Sequence, residues 1–305
     1  MSQGVLIALD WGTTNVRAAL FDINGTALEE RRGESGFGQF SKQQFGDHFE
    51  ILTKGWPKVP AIAAGMVGSR QGWSEAEYLA VPCDTQSLSK ALVSFQHDGQ
   101  SVTIVPGLKL DNGSRFDVMR GEETQLAGFL TSHAGFTGTI IMPGTHSKWV
   151  SLVDGRIVNF QTYMTGEFFD AVSSHTILSH SVSDNTGPDS VFAKKTKDLA
   201  AGSGSIEGEL FGLRARHLLE GCHEGHLRQE LSALLIMAEL RAGQQDGFKL
   251  DEDTTLIGTE TLTVFYETAL AALGHSPQKH RGTKLVWPAL RDLAIKAKLI
   301  EGCCA

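Results

Sequence analysis

The chain has 305 residues, of which 41% are hydrophobic, and a formal net charge of −8. That length can bury a large core and suggests about two domains. The acidic balance argues against a nucleic-acid binder, which shows a basic face, and no apolar run approaches the roughly 20 residues of a membrane span.

Met1-Ser2-Gln3-Gly4 lacks a basic region followed by a cleavable apolar one, so no secretory signal is expected. Five apolar residues, Val5 to Leu9, then predict a strand buried on both faces. Asp10 places a carboxylate at its end, and Gly12 lets the backbone turn close to a ligand. Thr13, Thr14 and Asn15 line the turn with donors. Val16 to Phe21 returns as a second strand, and Asn24-Gly25 reverses into a third. A carboxylate beside a donor-lined hairpin suits a magnesium-bound polyphosphate; the same residues also serve an ordinary hairpin whose side chains satisfy the turn.

Glu29 to Arg32 read as a solvated edge, residues 33–40 as a glycine-rich loop, and 41–54 as a helix carrying Phe45, Phe49 and Leu52. Ala61 to Val67 is a second buried strand leading into Gly68-Ser69-Arg70-Gln71-Gly72-Trp73. Loops at the carboxyl ends of parallel strands are where open α/β sheets bind ligands. There Arg70 suits a substrate carboxylate and Trp73 an apolar wall, unless Arg70 pairs with Glu75 or Glu77 at the surface. Ser101 to Val105 is a further strand, residues 107–114 a loop, and a helix runs on to about Ser132 with Glu122 and Glu123 in its first turn. Carboxylates there complement the helix dipole; one of them pointing into a cleft would equally serve as a general base.

Thr139 to Met142 opens a second strand–turn–strand unit through Pro143-Gly144-Thr145-His146-Ser147-Lys148. Placing Gly12 on Gly144 puts Thr13 on Thr145, Leu20 on Leu152 and Asp22 on Asp154 without a gap, which predicts a duplicated unit. Met142 takes the place of Asp10, so only one half offers the carboxylate; Ser147 and Lys148 suit a second phosphate grip. Residues 166–179 predict a helix and 181–205 a polar insertion or mobile loop with solvated lysines. Helices are expected at about 205–220 and 227–243. His217, Cys222, His223 and His226 between them read better as a polar connection than as a metal site. Cys83, Cys222, Cys303 and Cys304 show no disulfide framework or CxxC spacing, which fits a reduced cytoplasm. Thr254 to Glu260 is a strand ending in a glycine turn before a helix over Leu262 to Leu273. The last helix follows Trp287-Pro288 and packs back onto the body.

Asp10-x-Gly12-Thr13-Thr14-Asn15-x-Arg17 after a buried strand, the second Gly-Thr hairpin and the late strand–glycine–helix turn together resemble the actin-like ATPase superfamily of sugar kinases. More narrowly, residues 68–73, Asp117 to Gln125 and Pro143 to Trp149 are similar to the 2-dehydro-3-deoxygalactonokinase family. The resemblance implies an α/β protein of two ribonuclease-H-like domains, with mixed central sheets flanked by helices and a cleft between them. The domains would cover 1–134, with the first phosphate loop and the sugar-acid site, and 135–305, with the second phosphate loop and the adenosine site. It implies ATP, Mg2+ and phosphorylation of the 6-hydroxyl of 2-dehydro-3-deoxy-D-galactonate in galactonate catabolism. Asp10 carries over as the magnesium-side carboxylate. Gly12, Thr13, Thr14 and Asn15, assisted by Arg17, form one phosphate loop, and Gly144, Thr145, His146, Ser147 and Lys148 the other. Gly258, Thr259 and Glu260 carry over as the nucleoside turn. Arg70, Gln71, Trp73 and Arg120 are the substrate candidates. Related kinases place Gly-Asp where this chain has Gly121-Glu122, so Glu122 is the expected base and Asp117 the alternative. A small-molecule sugar acid is the expected partner, without nucleic acid or membrane; a homodimer stays open. Two other readings stay open as well: a kinase for the gluconate epimer, and an actin-like regulatory ATPase that needs no sugar acid.

Overall fold

The structure is a computed structural model that describes residues 3–34, 37–38, 40–182, 187–202 and 206–301. The chain forms two compact units. One takes the residues up to Phe136, Leu152–Asn159 and the chain from Gly282 onward; the other takes Thr137–Ser151 and Phe160–Arg281.

The first unit contains β1 (Gly4–Trp11), β2 (Asn15–Asp22), β3 (Ala27–Glu34), α1 (Lys42–Leu52), β4 (Ala61–Gly65), β5 (Leu79–Ala80), α2 (Thr85–Lys90), β6 (Val93–His97), β7 (Gln100–Ile104), β8 (Leu108–Asp111), β9 (Phe116–Met119) and α3 (Glu122–Leu130). Its main sheet runs β3-β2-β1-β4-β7-β6. β1 is antiparallel to β2 and parallel to β4, so its apolar run is covered on both sides and Leu6 to Leu9 are all buried. α1 starts at a reciprocal cap: Ser41 Oγ accepts the Gln44 N–H at 3.4 Å and Gln44 Oε1 accepts the Ser41 N–H at 2.7 Å. Its Phe45, Phe49 and Leu52 pack with Trp11 and Trp73 on one sheet face. The exposed β3 edge keeps its mixed charges in solvent, with Arg31 paired to Glu29 and stacked on Trp56.

The second unit contains β10 (Gly138–Met142), β11 (Ser147–Val153), β12 (Arg156–Tyr163), α4 (Thr165–His175), α5 (Asp189–Ala201), α6 (Ile206–Glu220), α7 (Glu224–Gln245), β13 (Thr255–Gly258), α8 (Glu260–Ala272) and β14 (Gln278–Arg281). The tip of the β11–β12 hairpin, at Leu152–Asn159, belongs to the first unit, as does the closing α9 (Gly282–Lys296). The second sheet runs β12-β11-β10-β13-β14, the same order as β3-β2-β1-β4-β7. β11 begins at Ser147, which aligns with Asn15 at the start of β2, so the duplication expected from the residues recurs in the sheets. Asp154 and Gly155 make the second reversal with φ of 50° and 70°.

Three local expectations are corrected, and one strand is added. Residues 107–114 are not all loop: β8 alternates buried Leu108 and Leu110 with exposed neighbours, and its pairing with β9 in a local hairpin and with the distant β5 outweighs the glycines at its ends. The region 181–205 is not an unstructured insertion, since α5 buries Phe192, Thr196 and Leu199 at helical spacing after Pro188; residues 183–186 and 203–205 lie outside the described residues. β14 was not expected because Gln278, Lys279, His280 and Arg281 carry no apolar signal; it is a polar strand at the end of the sheet, parallel to β13. The last helix begins before Trp287-Pro288, at Gly282, with Pro288 inside it. Contacts in the first unit outweigh the proline. Val286 is buried, Trp287 meets Phe21 edge-on at 6.1 Å, and a methyl group on Gly128 of α3 would lie 1.9 Å from the Leu285 carbonyl oxygen. No helix among the described residues is long and apolar enough to cross a membrane.

Candidate active site

In the first unit, β1 and β2 pair Asp10 directly with Arg17. Arg17 donates to Asp10 Oδ2 from Nη2 at 2.6 Å and from Nε at 3.2 Å, and its guanidinium lies 5.0 Å from the Trp287 ring. The Asp10 side chain is 29% exposed, and both bonds fall on one oxygen, leaving Oδ1 open among the described residues. Gly12 N–H donates to the Asn15 carbonyl at 3.0 Å, which closes the turn and leaves Thr13, Thr14 and Asn15 at the surface. At the end of β4, Gly65 has a φ of 94°, and a side chain there would meet the Trp11 carbonyl at 2.6 Å.

That close approach leads into the 68–73 loop, which is bonded to itself. Gly72 N–H donates to the Ser69 carbonyl, and Trp73 N–H to that of Val67, both at 2.9 Å. Arg70 and Gln71 stay exposed at the tip, and Arg70 makes no ion pair among the described residues. Trp73 is turned inward instead, 7% exposed and packed on Phe95 and Phe49 at 5.0 and 5.4 Å. Its indole is core rather than an open wall, because burying a large aromatic ring against α1 and the sheet outweighs presenting it at the surface. Arg120 is also drawn in. It stacks on Tyr78 at 4.5 Å, donates from Nη2 to the Ala76 carbonyl at 2.7 Å, and leaves Nε and Nη1 buried without hydrogen-bond partners among the described residues, as is Ser69 Oγ.

α3 starts at Glu122, just after Gly121 with its φ of 108°. The two acidic residues behave differently. Glu122 is half-buried and accepts the Arg120 N–H at 3.2 Å. Glu123 is fully buried, accepting the Gly121 N–H at 2.5 Å and the Thr124 hydroxyl at 2.9 Å. Burial, then the neighbouring Glu122 charge, pushes the Glu123 carboxyl up to about 7. Asp117, on β9, caps its own chain by accepting the Val118 N–H at 2.7 Å.

In the second unit, the turn after β10 leaves Thr145 and His146 exposed while Ser147 and Lys148 are buried. Lys148 Nζ donates to the His146 carbonyl at 3.0 Å, and His146 pairs with Glu167 of α4. Ser147 Oγ lies 3.1 Å from the Tyr266 hydroxyl and accepts the Gly144 N–H at 3.3 Å. The two expected grips thus face inward, holding the turn from beneath. The end of β13 adjoins this turn, since a methyl group on Gly258 would meet Pro143 Cδ at 3.5 Å. Thr259 caps α8, and Glu260 pairs with Arg281. Beside Gly144 lies a cavity of about 290 Å³ whose lining includes Gly166, Phe169, Arg228, Leu262 and Phe265.

Among the described residues no three His, Cys, Asp or Glu side chains gather to hold a metal. His223 instead caps α7 by accepting the Gly225 N–H at 3.1 Å, and His217 Nδ1 sits 3.2 Å from the Cys222 carbonyl. The residues that the spacing did not signal are Glu239 and Tyr266, which come to light only through their burial beside the turn.

A sequence profile described as 2-keto-3-deoxy-galactonokinase matches residues 10–293. A protein of Rhizobium meliloti (strain 1021), named a probable 2-dehydro-3-deoxygalactonokinase, is 35% identical over 90% of this chain and 91% of its own. The Escherichia coli (strain K12) 2-dehydro-3-deoxygalactonokinase is 33% identical over 94% of this chain and 97% of its own. A crystal structure of a putative 2-dehydro-3-deoxygalactonokinase from Sinorhizobium meliloti superposes with a TM-score of 0.86 at 32% identity, covering 95% of this chain and 98% of that one. A xylulose kinase from Lactobacillus acidophilus shares the fold alone, at 10% identity and a TM-score of 0.50 over 97% and 90% of the two chains. The fold is therefore that of the actin-like ATPases and sugar kinases. With the profile spanning nearly the whole sequence and both relatives matched almost end to end, the chain belongs to the 2-keto-3-deoxy-galactonokinase family.

Proposed function

We propose that this chain transfers the γ-phosphoryl group of ATP to the 6-hydroxyl of 2-dehydro-3-deoxy-D-galactonate. The observation that carries the reading is the repeated sheet order with a donor-lined turn after the first strand of each unit, and a carboxylate, Asp10, at the end of that strand in the first unit where the second has Met142. Phosphoryl transfer needs positioning and charge stabilisation more than covalent chemistry from the protein, and turns of this kind supply both. In the first unit the Gly12–Asn15 turn, with Arg17, carries phosphate contacts. In the second, the backbone and exposed side chains of Gly144 to His146 do so, with Ser147 and Lys148 holding that turn. The cavity beside Gly144 is apolar enough for a base, with the Gly258–Glu260 turn at the ribose.

Asp10 fits a magnesium ion: its Oδ1 is open, and magnesium in such sites takes one or two carboxylates and completes its shell with water and phosphate. The bound ion would neutralise phosphate charge. Glu122 accepts the hydroxyl proton as the hydroxyl oxygen bonds to the γ-phosphorus and ADP leaves; Asp117 is the alternative acceptor. Arg70, exposed and free of ion pairs among the described residues, takes the substrate carboxylate with Gln71 beside it. Arg120 and Trp73 shape that loop from beneath.

A coupled ADP-release assay over a panel of 2-keto-3-deoxy sugar acids and neutral sugars tests this. The galactonate-derived acid should be the best acceptor. A better gluconate epimer would reassign the substrate, and ADP release without any acid would support a regulatory ATPase.

A further inference from the structure

Glu239 sits in the middle of α7, the longest described helix, and is 3% exposed. A buried carboxylate there costs stability unless donors surround it. Three do. Trp149 Nε1 donates to Oε1 at 2.8 Å, the Tyr266 hydroxyl to Oε2 at 2.6 Å, and the Thr165 hydroxyl to Oε2 as well. Two of these donors lead back to the Gly144–Lys148 turn. Tyr266, having given its hydrogen to Glu239, is left to accept one from Ser147, 3.1 Å away; the other acceptor within reach of Ser147, the Gly144 carbonyl, is at 3.5 Å. Ser147 Oγ in turn accepts the Gly144 N–H. The second arm runs through the start of α4. Thr165 is tied to Glu239, a methyl group on the adjacent Gly166 would lie 2.6 Å from the Gly144 carbonyl oxygen, and Glu167 N–H donates to the Thr145 carbonyl at 3.0 Å.

We propose that Glu239 is a positioning residue for nucleotide binding: it orders the chain Glu239–Tyr266–Ser147–Gly144 and the first turn of α4, which together hold the phosphate turn. Ser147 then acts by shaping the turn rather than by touching phosphate: with Tyr266 donating to Glu239, the nearer acceptor for its one hydrogen is Tyr266, and its side chain is fully buried. The assignment rests on reading residues 144–148 as a phosphate turn.

The test uses Tyr266→Phe, Ser147→Ala and the double variant in the full chain, with ADP titration calorimetry, KM for ATP and for the sugar acid, and Tm. Each single variant should weaken ADP binding and raise KM for ATP roughly three- to ten-fold, the worth of one hydrogen bond. KM for the sugar acid should stay within about two-fold, as expected when only nucleotide contacts are disturbed. Because both substitutions cut the same chain, the double variant should be no worse than the poorer single one. Unchanged nucleotide affinity in folded single variants, or multiplying losses in the double variant, overturns the proposal. If Tyr266→Phe does not fold, Ser147→Ala alone decides by the same readouts. A wild-type chain that binds ADP yet phosphorylates no acid defeats the kinase reading instead, and leaves the ADP titrations to judge Glu239.

Discussion

Replacing Glu123 by Gln should remove the loss in stability that this buried acid brings between about pH 4.5 and pH 7. The Glu123 side chain is 0% exposed, so solvent does not screen it, and its carboxyl rises from the ordinary 4.5 to about 7. The folded chain therefore holds this proton more tightly than the unfolded chain does. The contribution of this group is at its full value below pH 4.5, is lost as pH climbs through the window, and is gone above pH 7. At 1.36 kcal/mol per pH unit, the gap amounts to roughly 3 kcal/mol. Gln keeps the shape and an acceptor for the Gly121 N–H without a charge to bury. Urea unfolding of both proteins at about pH 5 and pH 8 measures the effect. The variant should gain on the wild type by roughly 2–3 kcal/mol from the lower pH to the higher. Parallel stability–pH profiles would refute the argument, and would mean that water or a cation reaches this carboxylate.

Glu122→Gln should lower turnover by about 10²–10⁴-fold with a small change in either KM, read by steady-state kinetics; near-normal turnover would move the base to Asp117. Arg70→Ala should raise KM for the sugar acid by about ten-fold or more and leave KM for ATP unchanged, while equal use of acids and neutral sugars by the wild type would remove the role given to Arg70. Gly128→Ala should cost about 1–3 kcal/mol, seen as a lower Tm, because a methyl group 1.9 Å from the Leu285 carbonyl oxygen forces α3 and α9 apart; an unchanged Tm would mean that the two helices have room to spare.

Much was legible in the residues because it rests on local patterns. The apolar run at Val5–Leu9, the turn glycines at 12 and 144 and the Asn-Gly and Asp-Gly reversals each specify their backbone over a few residues, and the structure forms a strand or turn at each. The start of α3 at Glu122 was equally visible, as were the helices with strong apolar stripes. Polar and short elements were not. β14 has no apolar face, and α5 buries only Phe192, Thr196 and Leu199 amid lysines, so each exists because a neighbouring strand or helix accepts it.

The sequence by itself determined the duplicated hairpins, the single carboxylate beside them and the candidate residues at 68–73 and 117–125, because spacing along a strand or helix decides which groups share a turn. Only the tertiary structure decided which way those groups face. Arg70 stays outside while Trp73 and Arg120 go in, Glu122 stays half-exposed while its neighbour Glu123 is sealed, and Ser147 turns down toward Tyr266. Each outcome is set by packing against residues far away in the chain, where a buried polar atom must find a partner and a large ring must find a hole, and neither condition is written in local spacing.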